Sequence, residues 1–219
     1  IYQGVSRLLP QSDERRLVID IGGRSTEMII GQGYTAKAME SYRVGSVAWS
    51  MRHFPDGVLS AKHFDHAEIA AKAVLDEALH THHRSLWDTA YGSSGTIGAV
   101  GDMLTAAGFS PGELTLEGLD WLRERLLRAQ SADKVRLEGL KDDRRAVIGG
   151  GLSILRALFD LLEIRSMQVA QGALRQGALY DMLDRELPET DLRTSTVQGL
   201  VQSFAVDRDQ AQRVAAVAG

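Results

Sequence analysis

The sequence predicts an α/β domain with a mixed sheet flanked by helices. Two apolar runs, at residues 15–21 and 25–31, are joined by a Gly22-Gly23 pair, which is the pattern of a buried strand, a tight turn and a returning strand. Later short apolar runs, at 88–92 and 165–170, alternate with long stretches that have helical spacing. Strands interleaved with helices in this way are typical of an α/β domain.

The first sixty residues predict a third strand and a short helix. Residues 1–14 start apolar and become polar, as at the end of a helix that runs into a loop. A more exposed strand is expected over 34–44. A short helix begins at Gly45 and ends at Phe54, because Pro55-Asp56-Gly57 is a strong turn signal.

Eight further helices are predicted downstream. Ser60 is expected to cap the first, at 61–83, where apolar residues recur along one side. The next five are expected at 97–107, 115–128, 131–137, 142–163 and 174–185. Pro188 marks a boundary, and residues 191–219 read as two amphipathic helices, with Asp207 capping the second.

Composition limits the class of protein. The chain has 219 residues, 44% hydrophobic and 25% charged, enough for one sizeable domain with an appendage or for two small domains. A net charge of −4 does not mark a nucleic-acid binder. The absence of cysteine excludes disulfides and Cys-ligated metals and is compatible with a cytoplasmic location. No apolar run approaches the roughly 20 residues of a membrane span.

The first glycine turn carries the most informative residues. Asp20 ends the first strand and Glu27 follows seven residues later, so the two would face opposite ways on one straight strand. If the chain folds back at the glycines, both carboxylates point at one spot beside the turn. Carboxylates next to backbone N–H donors and hydroxyls suit a divalent metal bound with a phosphate. The alternative is an ordinary hairpin with a solvated Asp and Glu.

Two more glycine-rich loops follow. The loop at 91–98 joins a strand to a helix, so it can present free N–H groups and the positive end of the helix dipole to an anion, or serve only as a turn. Hydroxyl donors in it come from Ser93, Ser94 and Thr96. Three glycines at 149–151 precede an apolar helix, and close packing is their favoured role.

The order of these motifs resembles the second half of the actin-like ATPase superfamily, which has a ribonuclease H-like fold. Within it, the motifs resemble the exopolyphosphatase / guanosine pentaphosphate phosphohydrolase family over residues 1–188. They are DIGGRSTE at 20–27, YRVGSV at 42–47, HFPDGVLS at 53–60, YGSSGTI at 91–97, GGGLSIL at 149–155 and GALRQGALYDML at 172–183.

This resemblance implies a function and a domain arrangement. Members remove terminal phosphates from inorganic polyphosphate, or the 5′-terminal phosphate of pppGpp, by metal-assisted attack of water, usually with Mg²⁺. The site lies in a cleft between two actin-like domains. Residues 1–188 would be the second domain and 189–219 the start of a helical extension. A cytoplasmic homodimer with a place in the stringent response is expected.

The resemblance also assigns roles to residues. Asp20 corresponds to a metal-binding carboxylate, and Glu27 to one that holds metal or orients the attacking water. Phosphate contacts are expected from Gly22, Gly23, Ser25, Thr26, Ser93, Ser94, Gly95 and Thr96. The family's general-base glutamate would precede Ile1, so we expect the chain alone to hold half a cleft and to hydrolyse substrate poorly.

Some residues leave alternatives open. Arg24 stands where the family has a third glycine; it could contact phosphate, but exposure to solvent is favoured. His80 and His83 could share a metal with Glu77, although basic groups at a helix end are favourable in themselves. The competing functions are a kinase or ATPase that binds ATP against Gly149–Gly151, and a non-catalytic interaction domain.

Overall fold

The computed structural model describes residues 1–186 and 207–218. Its strands are β1 (Arg15–Ile21), β2 (Thr26–Gln32), β3 (Thr35–Tyr42), β4 (Thr89–Ser93), β5 (Glu113–Thr115) and β6 (Ser166–Val169). Its helices are α1 (Tyr2–Ser6), α2 (Ser46–His53), α3 (Ala61–Leu75), α4 (Ala78–Thr81), α5 (Gly95–Ala106), α6 (Leu116–Ala129), α7 (Asp142–Arg145), α8 (Ile148–Leu161), α9 (Leu174–Glu186) and α10 (Arg208–Ala218).

The six strands form one mixed sheet in the order β3-β2-β1-β4-β6-β5. β1 runs antiparallel to β2 and parallel to β4, β2 runs antiparallel to β3, and β4 runs parallel to β6. The short edge strand β5, which the sequence did not predict, is antiparallel to β6. The predicted mixed sheet flanked by helices is confirmed.

The two faces of the sheet are covered unequally. Leu17, Ile19 and Ile21 of β1 enter a large core that includes apolar residues of α3, α5, α6 and α8. Val18, between them, points to the opposite face, where a small cluster forms with Tyr2 and Val5 of α1. Asp20 alternates onto the same face as Val18. The lightly covered face therefore carries the first predicted site residue.

The glycines of α8 serve packing, as the sequence favoured. A Cβ built on Gly150 would lie 2.5 Å from the backbone N of Ser50, and one on Gly149 would lie 3.1 Å from the Phe54 ring. Ser50 Oγ also accepts the Gly150 N–H at 3.0 Å. Because the glycines have no side chains, α2 lies directly against α8.

Three predicted helices are wrong in extent. The helix expected over 61–83 ends at Leu75, and α4 is a separate single turn that lets His82 enter the core. The helix expected over 142–163 is split at Val147, whose φ of −112° and ψ of −1° depart from regular helix. At 131–137 only a 3-10 turn, Ala132–Lys134, forms. Helical spacing of apolar residues persists across such breaks, so periodicity alone does not detect them.

Caps are better predicted than lengths. The Ser60 side chain accepts the His63 N–H at the start of α3. Asp207 Oδ1 accepts the Gln210 N–H at 3.0 Å at the start of α10. The first of the two helices predicted over 191–219 lies outside the described residues.

Contacts divide the chain into two compact units, Ile1–Gly177 and Ala178–Gly219. The first unit contains the whole sheet. The domain boundary at 188 stays a prediction. Among residues 1–186 and 207–218, none of the helices combines the length and the hydropathy that a membrane span requires.

His82, which lies between His80 and His83, has a structural role. His82 is fully buried; its Nε2 lies 3.1 Å from the Met28 carbonyl, and its Nδ1 lies 2.8 Å from the Thr81 hydroxyl. These partners fit a neutral ring that donates from Nε2 and accepts at Nδ1. His83 Nδ1 contacts Ser85 instead. Among residues 1–186 and 207–218, no group of three or more potential metal-ligating side chains forms, so the His80–His83 site is not supported.

Gly150→Ala should lower the free energy of unfolding by about 1–3 kcal/mol, because the added methyl meets backbone atoms of α2 that cannot move aside. Gly98→Ala in α5 is the matched control, since a Cβ there meets nothing within 4 Å. It should stabilise the protein by about 0.5–1 kcal/mol. Urea unfolding of both variants tests this, and equal effects would show that α2 and α8 are not in tight contact.

His82 should make stability depend on pH. Burial lowers the pKa of this imidazole below its usual value, so below about pH 6.5 the unfolded chain binds a proton that the folded chain does not. The free energy of unfolding should therefore fall as the pH drops through about 6.5, with a slope from this residue of at most about 1.4 kcal/mol per pH unit.

Urea unfolding across that range should show a smaller slope in His82→Gln. The exposed His66 provides the control, because His66→Gln should keep the slope of the unsubstituted protein. If His82→Gln also keeps it, the histidine is not held neutral in the folded state.

Candidate active site

Four polar side chains form a row across four neighbouring strands. Asp20 is the direct partner of Glu27 on β2 and of Ser93 on β4, and Glu27 is the direct partner of Ser41 on β3. Residues paired in this way point to the same face of a sheet. We call Ser41, Glu27, Asp20 and Ser93 the polar row; it lies on the face that also carries Val18.

Hydrogen bonds hold both carboxylates of the polar row. Ser93 Oγ lies 3.2 Å from Asp20 Oδ2 and 3.0 Å from the Gly172 carbonyl. Glu27 Oε1 accepts two hydroxyl donors, Ser25 at 2.6 Å and Ser41 at 2.9 Å. Among the described residues, Asp20 Oδ1 and Glu27 Oε2 have no hydrogen-bond donor. Glu27 is thus fixed through Oε1, whereas Asp20 Oδ2 shares the single Ser93 hydroxyl proton with the Gly172 carbonyl. Each carboxylate can bind a ligand through its other oxygen.

The electrostatics of the polar row favour a cation. Burial raises the pKa of Asp20 and the nearby Glu27 charge adds to this rise, while the Ser93 hydrogen bond and the positive N-terminal charge of Ile1 oppose it. Neither carboxylate forms an ion pair with a basic side chain within residues 1–186 and 207–218. Two neighbouring acidic groups without a basic side-chain partner gain from a bound cation.

The donor set fits Mg²⁺ held together with a phosphate. Mg²⁺ in proteins is usually bound through one or two carboxylates, with water and substrate phosphates completing the shell. The polar row offers two carboxylates, and no third potential ligand clusters with them in the described part of the chain. Asp20 and Glu27 can therefore hold such a metal jointly with a substrate.

The Gly22-Gly23 turn is tied to α2 rather than open on all sides. The Gly22 carbonyl accepts the Ser46 N–H at 2.9 Å, and the Gly23 carbonyl accepts the N–H groups of Val47 and Ala48, each at 3.0 Å. These bonds satisfy the first N–H groups of the helix, which otherwise lack partners. The turn is therefore placed by α2, which in turn is placed by α8.

The other predicted turn residues divide into two groups. Ser25 joins the site, but its hydroxyl is directed to Glu27. Thr26 is buried and its hydroxyl donates to the Val44 carbonyl at 2.6 Å, so its side chain is on the opposite face from the polar row. Arg24 is exposed, as favoured from the sequence, and its φ is not positive, so it replaces a glycine without backbone strain.

The second loop contributes a strained residue beside the polar row. Ser94 has φ 134° and ψ 164°, a region normally restricted to glycine, and it caps α5 by accepting the Ile97 N–H. Such strain costs about 1–3 kcal/mol and is concentrated at functional sites. Gly95 is exposed, and a Cβ on it would lie 2.7 Å from the Arg144 guanidinium. Thr96 is buried beside Gly151.

The structure thus brings together Asp20, Glu27, Ser25 and Ser93, with Ser94 and Gly95 next along the loop. It adds Ser41, which sequence reasoning missed because the pairing of β3 with β2 was not predicted residue by residue. The glycines at 149–151 are filled by α2 and Thr96, which leaves no room for the ATP contact that the kinase alternative required.

Comparison with known proteins gives consistent relatives. The model of the Ppx/GppA phosphatase family matches residues 1–186. The guanosine-5′-triphosphate,3′-diphosphate pyrophosphatase of Vibrio atlanticus is 41% identical over 218 residues, which are 100% of this chain and 43% of that protein. The protein of the same name from Aeromonas hydrophila is 40% identical over 214 residues, which are 98% of this chain and 42% of that protein. The chain spans less than half the length of these relatives.

Solved structures share the fold. An Aquifex aeolicus member of the Ppx/GppA family aligns with a TM-score of 0.70 and 22% identity, over 85% of this chain and 61% of that one. An exopolyphosphatase from Cytophaga hutchinsonii aligns with a TM-score of 0.69 and 23% identity, over 84% of this chain and 62% of that one. With a family match over most of its length, the chain belongs to the Ppx/GppA phosphatase family.

Proposed function

We propose that the polar row is one wall of a phosphatase site that removes the terminal 5′-phosphate of pppGpp, with inorganic polyphosphate as a further substrate. The observation that carries this proposal is the direct pairing of Asp20 with Glu27, each of which has one oxygen beside a serine hydroxyl and no described donor at the other. The names of the relatives support pppGpp, and the family supports phosphate-ester or anhydride hydrolysis.

The residues of the site would have different roles in hydrolysis. Asp20 and Glu27 would hold Mg²⁺, which supplies charge neutralisation to the phosphate oxygens. Glu27 would also orient the attacking water through Oε2. The Gly22 N–H donates to the Ser25 carbonyl at 2.8 Å, so phosphate oxygens would bind the Gly23 N–H and the N–H groups at the start of α5. Positioning and charge neutralisation of this kind supply most of the catalysis in phosphoryl transfer.

We also propose that the protein acts in the cytoplasm as a homodimer and takes part in the stringent response through pppGpp. Exposed apolar side chains on α2 favour self-association, since Val47 is 43% and Met51 is 78% exposed. The lack of cysteine is compatible with a reducing compartment.

Asp20→Asn and Glu27→Gln should each lower pppGpp hydrolysis by about a hundredfold or more in the full-length polypeptide, because each removes a charge from the polar row. Release of phosphate from pppGpp and from polyphosphate, at saturating Mg²⁺, measures the effect. Both substrates should be affected, since both present a terminal phosphate to the same residues.

Glu40→Gln is the matched control. Glu40 neighbours Ser41 on β3 and carries the same charge, but strand alternation places it on the opposite face from Glu27. Its variant should keep at least half of the activity. Full activity in Asp20→Asn and Glu27→Gln would show that the site lies elsewhere.

A further inference from the structure

We propose that Ser41 is a positioning residue for Glu27, a role that rests on the proposed function of the polar row. Ser41 occupies the outer end of the row, on the edge strand β3, directly opposite Glu27. Its hydroxyl donates to Glu27 Oε1 at 2.9 Å. The Ser25 hydroxyl donates to the same oxygen at 2.6 Å.

Two hydroxyl donors restrict the orientation of a carboxylate more than a single donor does. A glutamate side chain has three rotatable bonds, and with a single donor its carboxylate can still turn about the hydrogen bond. Ser25 approaches from the turn and Ser41 from the neighbouring strand, so together they fix the direction of Oε1 and therefore that of Oε2. Oε2 is the oxygen left for water or metal, and small misplacement of such a group is costly to the reaction.

The surroundings of Ser41 give its hydroxyl no evident role in stabilising the fold. The residue is exposed, and most of the strand around it is exposed or partly exposed. Its hydroxyl is therefore not needed to satisfy a buried group of the core. Its one hydrogen bond to a described side chain is the bond to Glu27. A side chain placed this way supports its neighbour in the way that outer residues support metal ligands.

Ser41→Ala in the full-length polypeptide should lower kcat for pppGpp by about tenfold and change KM by less than about twofold. Affinity for Mn²⁺, titrated by electron paramagnetic resonance without substrate, should fall by about tenfold as well. Ser41→Thr keeps the hydroxyl and should restore both values to within about threefold of the unsubstituted protein.

Thr35→Ala is the matched control, because it removes an exposed hydroxyl from the other end of the same strand. It should leave kcat and Mn²⁺ affinity unchanged, and the melting temperature of all three variants should stay near that of the unsubstituted protein.

Two results would overturn the positioning role while leaving the proposed function intact. One is unchanged kcat and Mn²⁺ affinity in Ser41→Ala while Glu27→Gln is inactive. The other is a raised KM with unchanged kcat, which would make Ser41 a substrate contact. If Glu27→Gln is also fully active, the proposed function fails and the role of Ser41 fails with it.

Discussion

The candidate site depends on the register of β1 between its two neighbours. Residues of β1 alternate between a large core and a lightly covered face, so Leu17, Ile19 and Ile21 can be buried only if Asp20 faces the other way. A slip of one residue would bury the Asp20 carboxylate and expose the leucine and isoleucines, which is strongly unfavourable. Burial of apolar side chains thus fixes which polar groups meet across the sheet.

A second chain of contacts connects the core to the turn. The glycines of α8 let α2 approach closely, and Gly150 bonds to Ser50 of α2. The first N–H groups of α2 bind the carbonyls of Gly22 and Gly23. The turn beside the carboxylates is therefore held by helix packing as well as by strand pairing. This explains how a glycine pair without positive φ keeps one conformation.

Local signals in the sequence predicted much of this arrangement. Alternating apolar residues and a glycine pair predicted the hairpin, and the hydroxyl of Ser60 and the carboxylate of Asp207 predicted helix starts that the structure confirms. The pairing of Asp20 with Glu27 is the arrangement expected if the chain folds back at the glycines. These features depend on neighbours close in sequence, which is why the sequence alone reveals them.

Features that depend on distant neighbours were not predictable. Nothing in the sequence near Thr26 shows that its hydroxyl is used by Val44, and nothing near Ser41 shows that it lies opposite Glu27. The break after Leu75 is equally hidden, because His82 reaches the Met28 carbonyl only once the sheet exists. In each case the local structure depends on a contact with a residue more than ten positions away in the sequence.

We propose that Asp20 and Glu27 bind one divalent metal together with phosphate. Anomalous scattering from Mn²⁺ in crystals of the full-length polypeptide, grown with inorganic phosphate, tests it most directly. We expect a peak within about 2–2.5 Å of an oxygen of each carboxylate, with phosphate beside the Gly22-Gly23 turn. A Mn²⁺ peak bound by other residues, with none at the polar row, would contradict it.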